Sequence, residues 1–193
     1  MNEQKQLGVI LQTGTGSFMN PEKIIDHIDI KEGNIIADLG CGAGYFTIPI
    51  AKKVGNSGQV YAVDVLTSAL ELVKSKAKLE GLLNVKTIRA NVEVNNSSKL
   101  DNQIADFVIL ANILCQTNSS DRPAILAESK RILKNNGQLV VIDWIPGKSA
   151  LGIENKNCVS EGEIKELANK SGFRFERSFA MDGYHYGLIF ITR

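Results

Sequence analysis

A glycine-rich turn between an apolar run and a helix-like segment carries the strongest chemical signal in the sequence. Residues 34–39 predict a buried strand, and Gly40, Gly42 and Gly44 follow it directly. Glycines at such a point allow a tight turn and let a ligand approach the backbone closely, while the N-terminus of the next helix offers free N–H groups to an anion. The pattern therefore predicts a ligand-binding loop, with a helix start that binds nothing as the alternative.

Two carboxylates accompany this turn. Asp38 lies in the strand that precedes the glycines, and Asp64 lies at the end of the next predicted strand, residues 60–65. A carboxylate at that second position is placed to accept hydrogen bonds from both hydroxyls of an adenosine ribose. The alternative role for Asp64 is to cap the helix that follows.

Strand-like and helix-like segments alternate from about residue 21 to the end of the chain. The predicted helices are residues 21–27, 45–54, 68–80, 121–134 and 160–171, and the pairs Ser68/Glu71 and Ser160/Glu163 have capping-box spacing. The predicted strands are residues 34–39, 60–65, 85–90, 106–111, 138–144, 173–179 and 186–192. This alternation predicts an α/β fold, doubly wound and Rossmann-like, with a mostly parallel seven-stranded sheet and a C-terminal antiparallel hairpin.

Composition limits the classes of function. The 193 residues predict one domain, residues 21–193, preceded by a short segment, residues 1–20, and this length buries a core without disulfides or metal. A net charge of +1 argues against a nonspecific nucleic-acid clamp. The three cysteines and two histidines show no zinc spacing. With no signal peptide or bilayer-long apolar stretch, we expect a cytoplasmic protein that binds no metal and spans no membrane.

Residues 37–47 resemble motif I of the class I S-adenosylmethionine-dependent methyltransferases, an acidic residue followed by Gly-x-Gly-x-Gly. Asp38, Gly40, Gly42 and Gly44 match each position of the motif, and the resemblance extends over residues 18–190. It implies S-adenosylmethionine as cofactor, S-adenosylhomocysteine as product and methyl transfer to a small-molecule acceptor. Within the class, the chain is similar to the small ubiquinone/menaquinone C-methyltransferase branch.

The resemblance assigns cofactor contacts to the strand ends. Asp38 is expected to orient the loop amides or to meet the methionine ammonium, and Asp64 to bind the ribose. Asn91 stands where many members carry Asp; it is expected to accept from the adenine amino group or else to form a turn. The full expected set is Asp38, Gly40, Cys41, Gly42, Gly44, Asp64, Val65, Asn91, Val92, Ala111 and Phe18. Phe18 belongs to the N-terminal segment, which either folds over the cofactor or forms a local hydrophobic staple.

The acceptor side is predicted from topology. A sixth strand parallel to its neighbours ends at the cofactor face, which places the turn at residues 180–185 on the same rim. His185 is the candidate general base, because histidine alone has an ordinary pKa near neutrality. The candidate acceptor-pocket residues are Tyr184, Tyr186, Gln116, Asp143 and Trp144. The alternative is a surface turn whose aromatic residues pack on the sheet.

Other functions remain as alternatives. An NAD-dependent oxidoreductase would also use Asp64, but Tyr45 stands close to where a dinucleotide-binding loop needs its last glycine. A noncatalytic adenosyl-binding protein would share the whole cofactor site. Nucleic-acid methylation is disfavoured because residues 111–114 lack a Pro-Pro-aromatic element, and arsenite methylation because the cysteines lack ligand spacing.

Overall fold

The computed structural model describes residues 19–148, 158–179 and 181–193. Phe18 and nearly all of the segment 1–20 lie outside the described residues. The helices are α1 (Pro21–Asp26), α2 (Thr47–Val54), α3 (Thr67–Leu79), α4 (Arg122–Ile132) and α5 (Glu161–Lys170). The strands are β1 (Ile35–Leu39), β2 (Gln59–Asp64), β3 (Val85–Arg89), β4 (Ala105–Ala111), β5 (Leu133–Trp144), β6 (Phe173–Phe179) and β7 (His185–Thr192). No helix in these ranges is both long enough and apolar enough to cross a bilayer.

The seven strands form one sheet in the order β3-β2-β1-β4-β5-β7-β6. Strands β1 to β5 are all parallel to one another, and β7 is antiparallel to both β5 and β6. Strand β6 therefore runs in the same direction as β1 to β5. The chain winds outward from β1 in one direction and from β4 in the other, which leaves a topological switch point between them. The predicted fold class is confirmed.

Both faces of the sheet are covered by helices. On one face, α1 and α2 pack Ile24 and Ile50 against the strands, and α3 packs Val73. On the other face, α4 and α5 contribute Ile125 and Ile164. Burial of each such side chain stabilises the fold by about 1.5–3 kcal/mol. The carboxyl ends of the strands emerge between these layers, at one edge of the sheet.

The two predicted capping boxes had different outcomes. At α5, Glu163 N donates to Ser160 Oγ at 3.3 Å and Ser160 N donates to Glu163 Oε2 at 2.9 Å, which confirms that box. At α3 the prediction was wrong, because the helix begins one residue earlier and its N-cap has no side-chain hydrogen bond. Glu71 instead pairs with Lys74 at 2.8 Å, leaving Ser68 inside the first turn.

The junction between α4 and β5 also differs from the prediction. The helix ends at Ile132, and β5 begins at Leu133 rather than at residue 138. Leu133 pairs with Ala105 of β4, and the register then shifts before the regular pairing resumes at Gln138. The pairing with β4 therefore ends the helix at Ile132, two residues before its predicted end at residue 134.

Candidate cofactor and acceptor site

The glycine loop between β1 and α2 has a backbone that only glycine adopts readily. The φ angles are +75° at Gly40, +51° at Gly42 and +79° at Gly44, in the left-handed region. A Cβ added at Gly40 would lie 2.5 Å from Cδ1 of Ile113, whereas one at Gly42 would meet nothing within 4 Å. The loop is therefore packed tightly against β4 at its start and opens to free space at Gly42, where a ligand can lie against the backbone.

Asp64 ties this loop to the end of β2. Its Oδ2 accepts a hydrogen bond from Gly42 N at 2.9 Å, and its Oδ1 accepts from Leu66 N at 2.9 Å. A carboxylate offers about four acceptor positions, so two remain for other donors. The side chain supports the entry of the chain into α3, and it also holds the glycine loop, a contact that the sequence did not predict.

Asp38 lies beneath the loop and is almost fully buried. Its Oδ2 accepts a hydrogen bond from Thr47 Oγ1 at 2.5 Å, from the first residue of α2. Burial raises the pKa of Asp38 to about 6; the Thr47 hydrogen bond opposes this rise and the charge of Asp64 adds to it. At neutral pH Asp38 therefore carries a buried negative charge, and the hydrogen bond from Thr47 only partly offsets the cost of its burial. A cation bound nearby would stabilise this charge.

Cys41 contributes to the loop as a small buried residue. Its Sγ donates to the carbonyl oxygen of Gly42 at 3.6 Å, and burial raises the pKa of the thiol. Burial also raises the pKa of the Cys158 thiol. Both thiols are therefore protonated at neutral pH, which disfavours the arsenite alternative, since thiolates are the ligands it needs.

Asn91 follows β3 and has a local role in the chain. Its Oδ1 accepts a hydrogen bond from Glu93 N at 3.0 Å, and its Nδ2 lies 3.5 Å from Glu93 Oε2. This arrangement is an Asx turn, the alternative that the sequence allowed. The side chain is exposed, and its neighbour Val92 is buried.

Exposed apolar side chains lie next to Asp64. Val65 is 46% exposed, Leu66 40% and Val94 56%, although each follows a strand at the carboxyl edge of the sheet. Single exposed apolar residues need no explanation, but Val65 and Leu66 directly follow Asp64, and exposed apolar side chains grouped there offer a surface for the flat face of an aromatic ring.

The end of β4 holds a residue that the sequence did not single out. Asn112 follows Ala111 with φ at +55°, and its N donates to Ile142 O at 2.8 Å. Its Oδ1 is buried and has no hydrogen-bond partner among residues 19–148, 158–179 and 181–193. Gln116, a predicted acceptor-pocket residue, is exposed and donates from Nε2 to the Asn112 carbonyl at 2.7 Å. The asparagine itself was a usable signal in the sequence, since asparagine directly after a strand favours a turn with left-handed backbone.

His185 begins β7 beside the last residue of β5. Its Nδ1 lies 2.8 Å and 2.9 Å from the two carboxylate oxygens of Asp182, and its ring centroid lies 3.9 Å from that of Trp144. Tyr184, half-buried in the same turn, donates its N–H to Asp182 Oδ1 at 2.9 Å. The sequence indicated Asp182 only as a turn former, so its contact with His185 was missed.

Asp143 and Tyr186 pair across β5 and β7 and are buried. Asp143 accepts from Cys115 N at 3.0 Å and from Trp144 N at 2.8 Å. The Tyr186 hydroxyl donates to Val159 O at 2.7 Å. Burial raises the pKa of both side chains. These two predicted pocket residues therefore support the loops around the site and do not offer their polar groups to an open cleft.

The two halves of the predicted site share one edge of the sheet. His185 pairs with Trp144 at the carboxyl end of β5, which confirms that the turn before β7 lies on this rim. Residue 180 of that turn lies outside the described residues. Three strand spacings separate β1 from β7, or about 14 Å. Strands β4 and β5 therefore lie between His185 and the glycine loop along this edge, and the two do not contact each other.

A family model described as a methyltransferase domain matches residues 30–173. The chain belongs to this methyltransferase family. The matched residues include the glycine loop, Asp64, Asn112 and Trp144, so the matched region carries most of the site described above.

Relatives and solved structures agree with this assignment. The chain is 30% identical over 128 residues to the ubiquinone/menaquinone biosynthesis C-methyltransferase UbiE of Marinomonas sp., covering 66% of this chain and 49% of that protein. It is 30% identical over 134 residues to a protein-L-isoaspartate O-methyltransferase of Methanococcus aeolicus, covering 69% and 57%. A SAM-dependent methyltransferase from Aquifex aeolicus superposes with a TM-score of 0.86 at 26% identity, covering 96% and 98%.

The chain spans about half the length of the curated relatives it matches. The chain has the fold and the family of the S-adenosylmethionine-dependent methyltransferases. Its residues also fit that cofactor, because the loop is open above Gly42, Asp64 keeps free acceptor positions and Asp38 lacks full charge compensation.

Proposed function

We propose that this methyltransferase binds S-adenosylmethionine at the glycine loop and transfers its methyl group to a small, largely apolar acceptor. The observation that carries the proposal is the hydrogen bond between Asp64 and Gly42 N. It joins the open part of the loop to the one carboxylate placed for a ribose, at the switch point where ligands of such sheets bind.

Each part of the cofactor would meet a different residue. Asp64 would accept from the ribose hydroxyls with its remaining lone pairs. The buried carboxylate of Asp38 would attract the methionine ammonium. Val65 and Val92 would flank the adenine ring, and Asn91 would contribute through the turn that it forms. When bound, S-adenosylmethionine supplies a methyl group that is already a strong electrophile.

The residues around the acceptor would position it and exclude water, since alignment supplies most of the acceleration in such a transfer. Ile142 and Ile189 belong to the apolar cluster formed with α1 and α2. Trp144 and His185 lie an even number of residues away along the same strands, so they share that face. Ala111 packs against the same cluster. An acceptor between the cofactor and His185 would therefore lie on apolar surface.

Several relatives are named for quinone-type acceptors, whereas one is named for protein L-isoaspartate. We take a quinone-type or phenolic ring as the acceptor class of this proposal, because the surface around Trp144 and His185 is apolar. Such a ring is flat and apolar and carries an ionisable hydroxyl. His185 would serve as the general base for an acceptor of this kind.

Calorimetry tests the proposal without a known acceptor. We expect the protein to bind S-adenosylmethionine and S-adenosylhomocysteine and to give no heat with NAD. Asp64→Ala should weaken both adenosyl ligands, while Asp29→Ala, on an exposed loop, should leave them unchanged. Binding of NAD with no response to either adenosyl ligand would contradict the proposal.

A further inference from the structure

The two nitrogens of His185 are in different situations, and both are buried. The side chain has no exposed surface, and Nδ1 faces both oxygens of Asp182 at 2.8 Å and 2.9 Å. A nitrogen that faces a carboxylate carries the proton, because the carboxylate can only accept. The lone pair of the neutral ring is therefore on Nε2.

Nε2 itself has no hydrogen-bond partner within the described ranges. Folded chains seldom leave a buried polar atom unpaired unless it has a use. Asp182 is also held firmly, because its Oδ1 accepts from the backbone N–H of Tyr184 at 2.9 Å and of His185 at 2.8 Å. The ring is thus fixed by a rigid carboxylate, with one basic nitrogen that is buried and unpaired within the described ranges.

The position of the ring suits the acceptor and not the cofactor. It contacts the ring of Trp144 at an interplanar angle of 43° at the end of β5, two strand spacings or about 10 Å from the end of β4. Among the described residues, two carboxylates act on the His185 ring. Asp182 contacts Nδ1, and Asp143 on β5 interacts with the ring through its charge. Asp143 is turned toward the N–H groups of Cys115 and Trp144, so Asp182 is the carboxylate that sets the orientation of the ring.

We propose that Asp182 is a positioning residue that holds Nε2 of His185 ready to take a proton, and that the acceptor carries an ionisable hydroxyl on an aromatic or enolic ring. This inference rests on the proposed function. The hydroxyl O–H bond breaks and its proton goes to Nε2, giving an imidazolium paired with Asp182. The methyl carbon bonds to the oxygen or to the adjacent ring carbon, and the S–CH3 electron pair returns to sulfur. In either case the acceptor loses one proton and gains one methyl group.

Trp144 gives a direct readout, because it is the only tryptophan in the chain and it touches His185. In protein saturated with S-adenosylhomocysteine, at one fixed pH, we expect the fluorescence of Asp182→Asn to differ from that of the parent, because the ring that touches Trp144 is no longer held by a carboxylate. His185→Gln gives the signal of Trp144 without the imidazole. Asp29→Asn, an exposed carboxylate paired with Lys31, is the matched control and should behave as the parent.

4-Nitrophenol tests the acceptor class, since its phenolate absorbs visible light. In the complex with S-adenosylhomocysteine, at a pH where the free phenol is mostly neutral, we expect it to bind as the phenolate. His185→Gln should bind it as the neutral phenol, and Asp182→Asn should give an intermediate yield. No binding, or neutral binding by the parent, would overturn the acceptor class. Trp144 fluorescence and a phenolate yield in Asp182→Asn that both equal those of the parent would overturn the role of Asp182.

Calorimetry with S-adenosylhomocysteine separates this failure from that of the proposed function. We expect the affinity for S-adenosylhomocysteine to change less than about twofold in Asp182→Asn, because β4 and β5 lie between the turn that holds Asp182 and the glycine loop. If the parent binds S-adenosylhomocysteine and the variants behave alike, only the inference about Asp182 fails. If the parent does not bind it, the proposed function fails as well.

Discussion

Replacement of Asp64 by alanine should reduce cofactor affinity through two separate losses. The ribose hydroxyls would lose two charge-assisted hydrogen bonds, each worth about 1.5–3 kcal/mol. The glycine loop would also lose the acceptor that holds Gly42 N at 2.9 Å. The first loss alone, about 3–6 kcal/mol for the two bonds, predicts a fall in affinity of about a hundredfold or more.

The second loss should be visible without ligand. In the variant, the N–H groups of Leu66 and Gly42 would donate hydrogen bonds to water instead, because the position of Asp64 is only half-buried. We therefore expect the free energy of unfolding to fall by about 1–2 kcal/mol, with the fold kept. Asp64→Asn separates the two losses, since it keeps one acceptor oxygen but removes the charge.

Calorimetry with S-adenosylhomocysteine and urea unfolding would measure these effects on the same preparations. Asp29→Ala, an exposed carboxylate far from the loop, controls for a general effect of charge. A folded Asp64→Ala protein that binds S-adenosylhomocysteine with the parent affinity would refute the reasoning and remove Asp64 from the site.

Three further changes test the interior of the site. Burial raises the pKa of Asp38 to about 6, so the folded protein holds the Asp38 proton more tightly than the unfolded chain does. The contribution of Asp38 to the free energy of unfolding should therefore fall by about 3 kcal/mol as the pH rises from about 4 to about 7. Asp38→Asn should abolish that fall in urea titrations across this range. Gly40→Ala should destabilise the protein more than Gly81→Ala, because both have positive φ but only the first places its Cβ 2.5 Å from Ile113; melting temperatures of the two variants decide this. Tyr186→Phe should cost about 1–3 kcal/mol of unfolding free energy in urea, through a buried carbonyl left unpaired, without changing S-adenosylhomocysteine affinity.

Local sequence signals were sufficient where the chain's own neighbours decide the outcome. The strand before Gly40 and the turn that follows were predictable, because glycine spacing and apolar periodicity act over a few residues. The Ser160–Glu163 capping box was predictable for the same reason. The equivalent signal at Ser68 failed because the chain entering α3 is held by Asp64, the last residue of the preceding strand, through the N–H of Leu66.

The features that the sequence did not predict depend on contacts between distant segments. Asp182 looked like a turn residue, and its contact with His185 requires the closing hairpin to place the ring beside Trp144. Asn112 has a left-handed backbone and a buried Oδ1 because its N–H pairs with Ile142 of the next strand. Such properties follow from strand pairing, and a residue's type alone does not carry them.

The most direct test of the central claim is transfer of an isotope-labelled methyl group. The protein would be incubated with methyl-labelled S-adenosylmethionine and either a reduced naphthoquinone or a small-molecule extract of cells, and the products would be resolved by mass spectrometry. We expect S-adenosylhomocysteine and a labelled small molecule to form in equal amounts, and Asp64→Ala to form much less of both at a subsaturating concentration of S-adenosylmethionine. A protein that binds S-adenosylmethionine tightly but labels no small molecule in either mixture would contradict the claim and favour a noncatalytic adenosyl-binding protein.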